Sequence, residues 1–136
     1  MTRRTFLGGA ALAAVLAPAA GLAQHEGSIA AVIGHTGRGD YGHGLEGIFR
    51  GRPEVREVVL ADPDEAGRVR TAARVGAGRS YADYRELLEK ERPRWVSIAM
   101  RHADQHHAIG LACLRAGAHC YFEKPFTRSP DEADEL

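Results

Sequence analysis

The sequence predicts an α/β domain built on a doubly wound parallel sheet that is incomplete toward its C-terminal end. Three observations carry this. Short apolar runs without polar alternation, the mark of strands covered on both faces, take turns with stretches of helical spacing. A glycine-rich turn, Gly34-His35-Thr36-Gly37-Arg38-Gly39, stands directly after the first run. A later run ends in Glu123-Lys124-Pro125, eleven residues before Leu136. Strands alternating with helices imply a parallel sheet with right-handed crossovers.

Residues 28–33 are small and apolar throughout and form the first predicted strand. After the glycine turn, a helix is expected from about 42 to 50. Residues 56–61 form the second strand, closed by Asp62-Pro63, and Asp64 is placed to cap a helix running to Val75. Beyond the Gly76-Ala77-Gly78 break, residues 81–91 carry apolar positions at Tyr84, Leu87 and Leu88, a helical spacing stopped by Pro93. Residues 95–100 make the third strand and about 104–116 the next helix, ended by Gly117. Residues 119–122 make the fourth strand. Ser129, Pro130 and the acids after them read as cap, first-turn proline and acidic first turn of a last helix.

The 136 residues suffice for one domain. Residues 1–23 are read as an export signal. Arg3-Arg4 precedes Phe6-Leu7 and an alanine-rich apolar stretch, the address of the twin-arginine route for folded proteins. Cleavage is expected after Ala23, with Ala17-Pro18-Ala19 as an earlier site, and the destination is periplasmic or extracellular. An ordinary secretory signal or an anchor are the alternatives. A membrane span is disfavoured, because the stretch is short, holds glycine and is split by Pro18, against the ~20 apolar residues a span requires. Residues 24–27 are a linker and 28–136 the folded domain. Without Arg3 and Arg4, 16 of the 18 basic residues remain against 18 acids, so the domain is near neutral and carries no basic stripe for nucleic acid. Cys113 and Cys120 are too few for a disulfide framework and are expected as buried thiols.

Glycines in a turn between strand and helix let a phosphate approach backbone amides. The usual spacing is G-x-G-x-x-G, and here Thr36 takes the second glycine position between Gly34 and Gly37-Arg38-Gly39. The Thr36 hydroxyl could donate to a phosphate, although its β-carbon crowds the approach; a plain tight turn is the alternative. Asp62, ending the second strand, can accept from both ribose hydroxyls and repel a 2′-phosphate, which favours NAD over NADP, or it can simply cap the next helix. Arg38 could meet a 2′-phosphate or the pyrophosphate. His102, Asp104 and His106 lack a persuasive third imidazole, so no metal site is expected. His35 and His43 are expected as exposed loop residues. Lys124 lies past a parallel strand, where open α/β sheets bind ligands. Pro125 restricts it to extended geometry and Glu123 offers charge compensation, which suits an acid–base or substrate-orienting lysine.

Together these segments resemble the glucose–fructose oxidoreductase/inositol dehydrogenase (Gfo/Idh/MocA) family. The shared features are the first strand with its glycine turn, Asp62-Pro63-Asp64, the Tyr81-Ala82-Asp83-Tyr84 helix with Leu87-Leu88, and Ala116-Gly117 leading to Glu123-Lys124-Pro125. The resemblance implies an NAD(P)-binding Rossmann domain followed by a larger α/β domain, absent here, whose sheet binds substrate and supports homo-oligomers. It implies catalysis by Lys124 near the nicotinamide. It also implies cofactor binding by Gly34, Thr36, Gly37, Arg38, Gly39, Asp62, Glu123 and His106, the last matching the family histidine before the Ala-Gly helix. Met100-Arg101-His102 departs from the family's usual Thr-Pro-Asn and is one residue longer.

The expected activity is hydride transfer between a sugar or polyol and a nicotinamide dinucleotide, with the twin-arginine machinery as export partner. An NAD-dependent glycosidase, a non-catalytic dinucleotide-binding module and an inert truncated product are the alternatives. An uncovered sheet face, an exposed strand edge and marginal stability are expected of so short a domain.

Overall fold

A computed structural model describes residues 27–136; the predicted signal, its cleavage sites and nearly all of the linker lie outside them. The chain forms one five-stranded, all-parallel sheet in the order β3-β2-β1-β4-β5. Its strands are β1 (Ser28–Ile33), β2 (Val55–Ala61), β3 (Arg79–Tyr81), β4 (Trp95–Ile98) and β5 (His119–Phe122). Its α-helices are α1 (Glu65–Val75), α2 (Tyr84–Glu91), α3 (His106–Arg115) and α4 (Pro130–Glu135).

The unalternating strands bury both faces. Ala31, Ile33, Val59, Ala61, Val96 and Ile98 face a core closed by Leu87 and Leu88 of α2 and Ile109 and Cys113 of α3. The intervening Val32, Val58 and Leu60 face a second core with Tyr41, Leu45 and Val75 of α1. Each buried aliphatic side chain contributes roughly 1.5–3 kcal/mol, so the two central strands β1 and β2 anchor the domain. Cys113 is buried and Cys120 half-buried, both as free thiols.

Helix ends follow the sequence closely. The Asp64 carboxylate accepts from the Gly67 amide at 2.6 Å, and the Ser129 hydroxyl from the Glu132 amide at 3.2 Å. Such caps contribute about 1 kcal/mol each.

Two expectations fail. The helix expected over 42–50 is only a 3-10 turn, Leu45–Gly47. Gly42, Gly44 and Gly47 each cost roughly 1 kcal/mol in a helix, and His43 and Gly44 are left-handed at φ 47° and 72°. The helix expected from 81 starts at Tyr84, capped by Asp83, whose carboxylate accepts from the Arg85 amide. The residues before it form the unforeseen strand β3, paired with β2 through Ala61 and Tyr81. Three residues are too few to show a period.

On the second face, the sheet is thinly covered over β4 and β5. Ile48, Phe49, Val55, Trp95 and Tyr121 line an open groove of about 360 Å³ there, and Tyr121 is 59% exposed.

Candidate functional site

Among the described residues, the glycine turn, Asp62, the Met100-Arg101-His102 segment and Glu123-Lys124-Pro125 meet beyond the carboxyl ends of β1, β2, β4 and β5. This is the crevice where open parallel sheets receive ligands.

The centre of the crevice is a buried carboxylate. Asp62, just past β2, is wholly inaccessible to solvent. Its Oδ2 accepts from the Thr36 hydroxyl at 2.6 Å, the Tyr41 hydroxyl at 2.8 Å and the Thr36 amide at 3.0 Å. Its Oδ1 accepts from the Asp64 amide at 2.9 Å and the Thr36 amide at 3.2 Å. A buried carboxylate is tolerated because every lone-pair direction is used. Burial, with the Asp62 carboxylate beside it, pushes the Tyr41 hydroxyl well above the ordinary tyrosine range.

Two sequence-based roles are corrected by this geometry. Asp62 does not offer its carboxylate to a ribose, because it is buried and fully engaged by its own chain. Thr36 does not present its hydroxyl to a phosphate, because that hydroxyl points inward to Asp62. The inward turn is possible only because α1 carries Gly67 opposite: a β-carbon there would overlap the Thr36 side chain. Thr36 therefore locks the turn to β2.

The other turn residues follow the carboxyl end of β1. The Gly34 amide donates to the Ala61 carbonyl at 2.9 Å, bringing the turn onto the end of β2, and the Tyr41 ring packs against Gly34. Gly37 and Gly39 are exposed, and their amides form no hydrogen bond among the described residues. Gly39 has φ 79° and lies against the His102 ring. With no α-helix following the turn, these amides and Arg38 are what remain to hold a pyrophosphate. Arg38 extends to Asp104 at 2.8 Å, and this hydrogen bond holds the Asp104 carboxyl below the usual aspartate range.

On one side of the turn lies a cavity of about 270 Å³, bounded by Ile33, His35, Pro63, Tyr84, Met100 and Ile109. The Arg85 guanidinium lies 4.4 Å over the Tyr84 ring. His35, expected as an exposed loop residue, has a buried Nδ1 with no partner among the described residues. A cavity that sets the Tyr84 ring and aliphatic walls beside the polar groups of Asp83, Arg85 and Gln105 suits a planar heterocycle that can hydrogen-bond. Tyr84 reads in sequence as one more helix-core position, so only the fold gives its ring to the cavity. Asp64 was foreseen as a cap, but its second oxygen, Oδ2, lies beside Gly37, where a ribose could be met.

On the other side the Glu123-Lys124-Pro125 segment follows β5. His106, assigned to cofactor contact, is instead wholly buried. Its Nδ1 lies 2.8 Å from the Pro125 carbonyl and its Nε2 2.8 Å from the Met100 carbonyl. It straps the end of β4 to the lysine segment and touches no open space. Glu123 is likewise 3% exposed, and its carboxylate meets His43 Nδ1 at 2.7 Å rather than compensating Lys124. A β-carbon on Gly42 would overlap the Glu123 carboxyl, so the glycine is what lets the loop close over it. Lys124 itself is exposed and, among the described residues, has no ion pair. It borders an open pocket of about 420 Å³ together with His43 and Arg101, neither of which the sequence marked as a site residue.

Residues 29–136 match the Gfo/Idh/MocA family, the oxidoreductase family with an NAD-binding Rossmann fold. Among solved structures, an NAD-binding oxidoreductase from Klebsiella pneumoniae is 28% identical with a TM-score of 0.60, over 80% of this chain and 30% of that one. Levoglucosan dehydrogenase, in complex with NADH and levoglucosan, is 25% identical with a TM-score of 0.62, over 80% and 30%. Myo-inositol 2-dehydrogenase from Lactobacillus plantarum shares the fold at 18% identity with a TM-score of 0.64, over 81% and 32%. The chain thus spans about a third of the length of these structures. No curated protein matches it. The chain belongs to the Gfo/Idh/MocA family, and its described residues form that family's NAD-binding Rossmann domain.

Proposed function

We propose that this domain binds NAD across the strand-tip crevice and serves hydride transfer to or from a hydroxyl of a sugar or polyol. The observation that carries the reading is the glycine turn, locked onto buried Asp62 and opening on a cavity of about 270 Å³ walled by Tyr84, His35 and Ile33. The adenine belongs in that cavity against Tyr84, the ribose beside Asp64, and the pyrophosphate over Gly37, Arg38 and Gly39. A carboxylate at the ribose position disfavours a 2′-phosphate, so NAD is preferred over NADP. When bound, the nicotinamide supplies the two-electron acceptor for a hydride leaving a carbinol carbon.

The chain's own residues have distinct tasks. Asp62, Thr36 and Tyr41 hold the turn rigid. His106 and the Glu123–His43 pair fix the backbone from which Lys124 projects. Lys124 holds the reacting hydroxyl oxygen by a charged hydrogen bond and favours loss of its proton. Residues 1–23 direct the folded, cofactor-loaded domain through the twin-arginine route to the periplasm or beyond, and a homo-oligomer accompanies the family's longer architecture.

Titration calorimetry of the chain with NAD and NADP tests this. NAD is expected to bind at least tenfold tighter than NADP, and Tyr84→Ala to weaken it about tenfold by removing a stacking surface. Tighter NADP binding, or an unaltered affinity in Tyr84→Ala, would place the dinucleotide elsewhere or reject it.

A further inference from the structure

The pocket around Lys124 holds more positive charge than orienting a neutral hydroxyl requires. Arg101 lies where this chain departs from the family pattern, and it is exposed at the pocket wall beside Lys124 and His43. Its guanidinium is not loose. Nε donates to the Tyr41 carbonyl at 3.0 Å, which fixes the plane of the group and leaves its terminal nitrogens without a partner among the described residues. The Arg101 amide donates to the Asp40 carbonyl at 3.3 Å, so its backbone is tied to the same loop.

The backbone that carries Lys124 is anchored on both sides, and its exposed ammonium has no partner among the described residues. The Glu123 amide donates to Ile98 at 2.8 Å, and the Pro125 carbonyl receives the buried His106 ring. The neighbouring acids are engaged elsewhere: Glu123 is buried behind His43, and Asp40 Oδ1 accepts from the Tyr41 amide. Neither forms an ion pair with Arg101 or Lys124 among the described residues. Most surface cations are mobile and contribute little. A fixed guanidinium and a lysine on an anchored backbone, sharing one pocket and without acids of their own, are a different case. An arginine plane beside a lysine point charge matches an oxyanion, with the fork taking two oxygens and the ammonium a third.

We propose that Arg101 and Lys124, flanked by His43, form an oxyanion-binding clamp at this end of the crevice. The ligand group is a carboxylate or phosphate. It belongs either to a hydroxy-acid or phosphorylated substrate or to the pyrophosphate of the dinucleotide. In the first case the substrate class narrows from neutral polyols to anionic ones. The substrate arm rests on the function proposed above; the clamp itself does not.

The test is nuclear magnetic resonance titration of the ¹⁵N-labelled full chain, with and without saturating NAD. The probes are gluconate, its neutral counterpart glucitol, and inorganic pyrophosphate. Gluconate is expected to bind at least tenfold tighter than glucitol, shifting resonances of His43, Arg101 and Lys124, and Arg101→Gln to erase that preference. If NAD and pyrophosphate affinities change less than twofold in Arg101→Gln, the oxyanion is the substrate's. If they fall tenfold while gluconate binding is unmoved, the clamp holds the cofactor's pyrophosphate. Equal binding of gluconate and glucitol, with NAD and pyrophosphate unaffected by Arg101→Gln, overturns the clamp. Gluconate binding that survives in a chain unable to bind NAD would sink the dinucleotide reading and leave the clamp standing. Arg101 is exposed, so an unchanged pattern of distant resonances verifies that the variant remains folded.

Discussion

The two ends of the crevice handle charge in opposite ways. Under the glycine turn, the carboxylate is inside: Asp62 is inaccessible and answered by two hydroxyls and two backbone amides. At the Lys124 end, the charges stand outside on buried props. His106 and Glu123 are hidden and paired, while Lys124 and Arg101 face solvent. A buried, satisfied carboxylate makes a rigid floor for binding. Exposed cations on an anchored backbone remain available to a ligand, because water leaves them unspent until something displaces it. The proposed cofactor floor and the proposed oxyanion clamp thus differ in where their charge stands.

Breaking the first end should have the largest effect. Asp62→Ala strands the Thr36 amide and hydroxyl, the Tyr41 hydroxyl and the Asp64 amide. Even with some donors rehydrated, stability should fall by about 3 kcal/mol or more in urea unfolding. A loss under about 1 kcal/mol would mean that the carboxylate is not the floor of the turn.

Breaking the second end should cost less. Gly42→Ala forces a β-carbon into the Glu123 carboxyl, and overpacking of this kind costs about 1–3 kcal/mol. The informative readout is the His43 imidazole, whose resonance should shift as the pair to Glu123 is displaced. An unchanged His43 signal would show that the loop does not depend on this approach.

Tyr41→Phe sharpens the contrast with the smallest change. Removing one hydrogen bond should cost about 1 kcal/mol at neutral pH. The folded state holds the Tyr41 proton more tightly than the unfolded chain does. That contribution is complete below the unfolded tyrosine value of about 10 and is lost as pH rises above it. Stability of the parent should therefore fall at alkaline pH, and Tyr41→Phe should flatten part of that fall. Identical alkaline limbs in both proteins would remove Tyr41 from the account.

Much of this was legible in the chain itself. The unbroken apolar runs of β1 and β2, the caps at Asp64 and Ser129, and the placing of the glycine turn and Lys124 at strand ends all follow from local rules, because burial on two faces and helix termini leave marks within a few residues. Family membership was legible from the Glu-Lys-Pro segment and its neighbours. Local rules failed where the deciding contact was distant. The helix over 42–50 gave way to glycines whose use appears only when Glu123, 81 residues beyond Gly42, packs on the loop. Thr36 and Asp62 looked like ligand-facing groups, and only the placing of Gly67 opposite shows that they face each other. His106 looked like a contact and is a strap, since nothing in its surroundings along the chain reveals two carbonyls from separate segments. Arg101 drew notice only as a departure from pattern, until folding set it beside Lys124 and His43. Sequence determines which residues can bear charge and which segments can be strands, because those are properties of neighbours. Whether a charge ends buried or presented is decided by tertiary structure, because desolvation depends on what arrives from elsewhere in the chain.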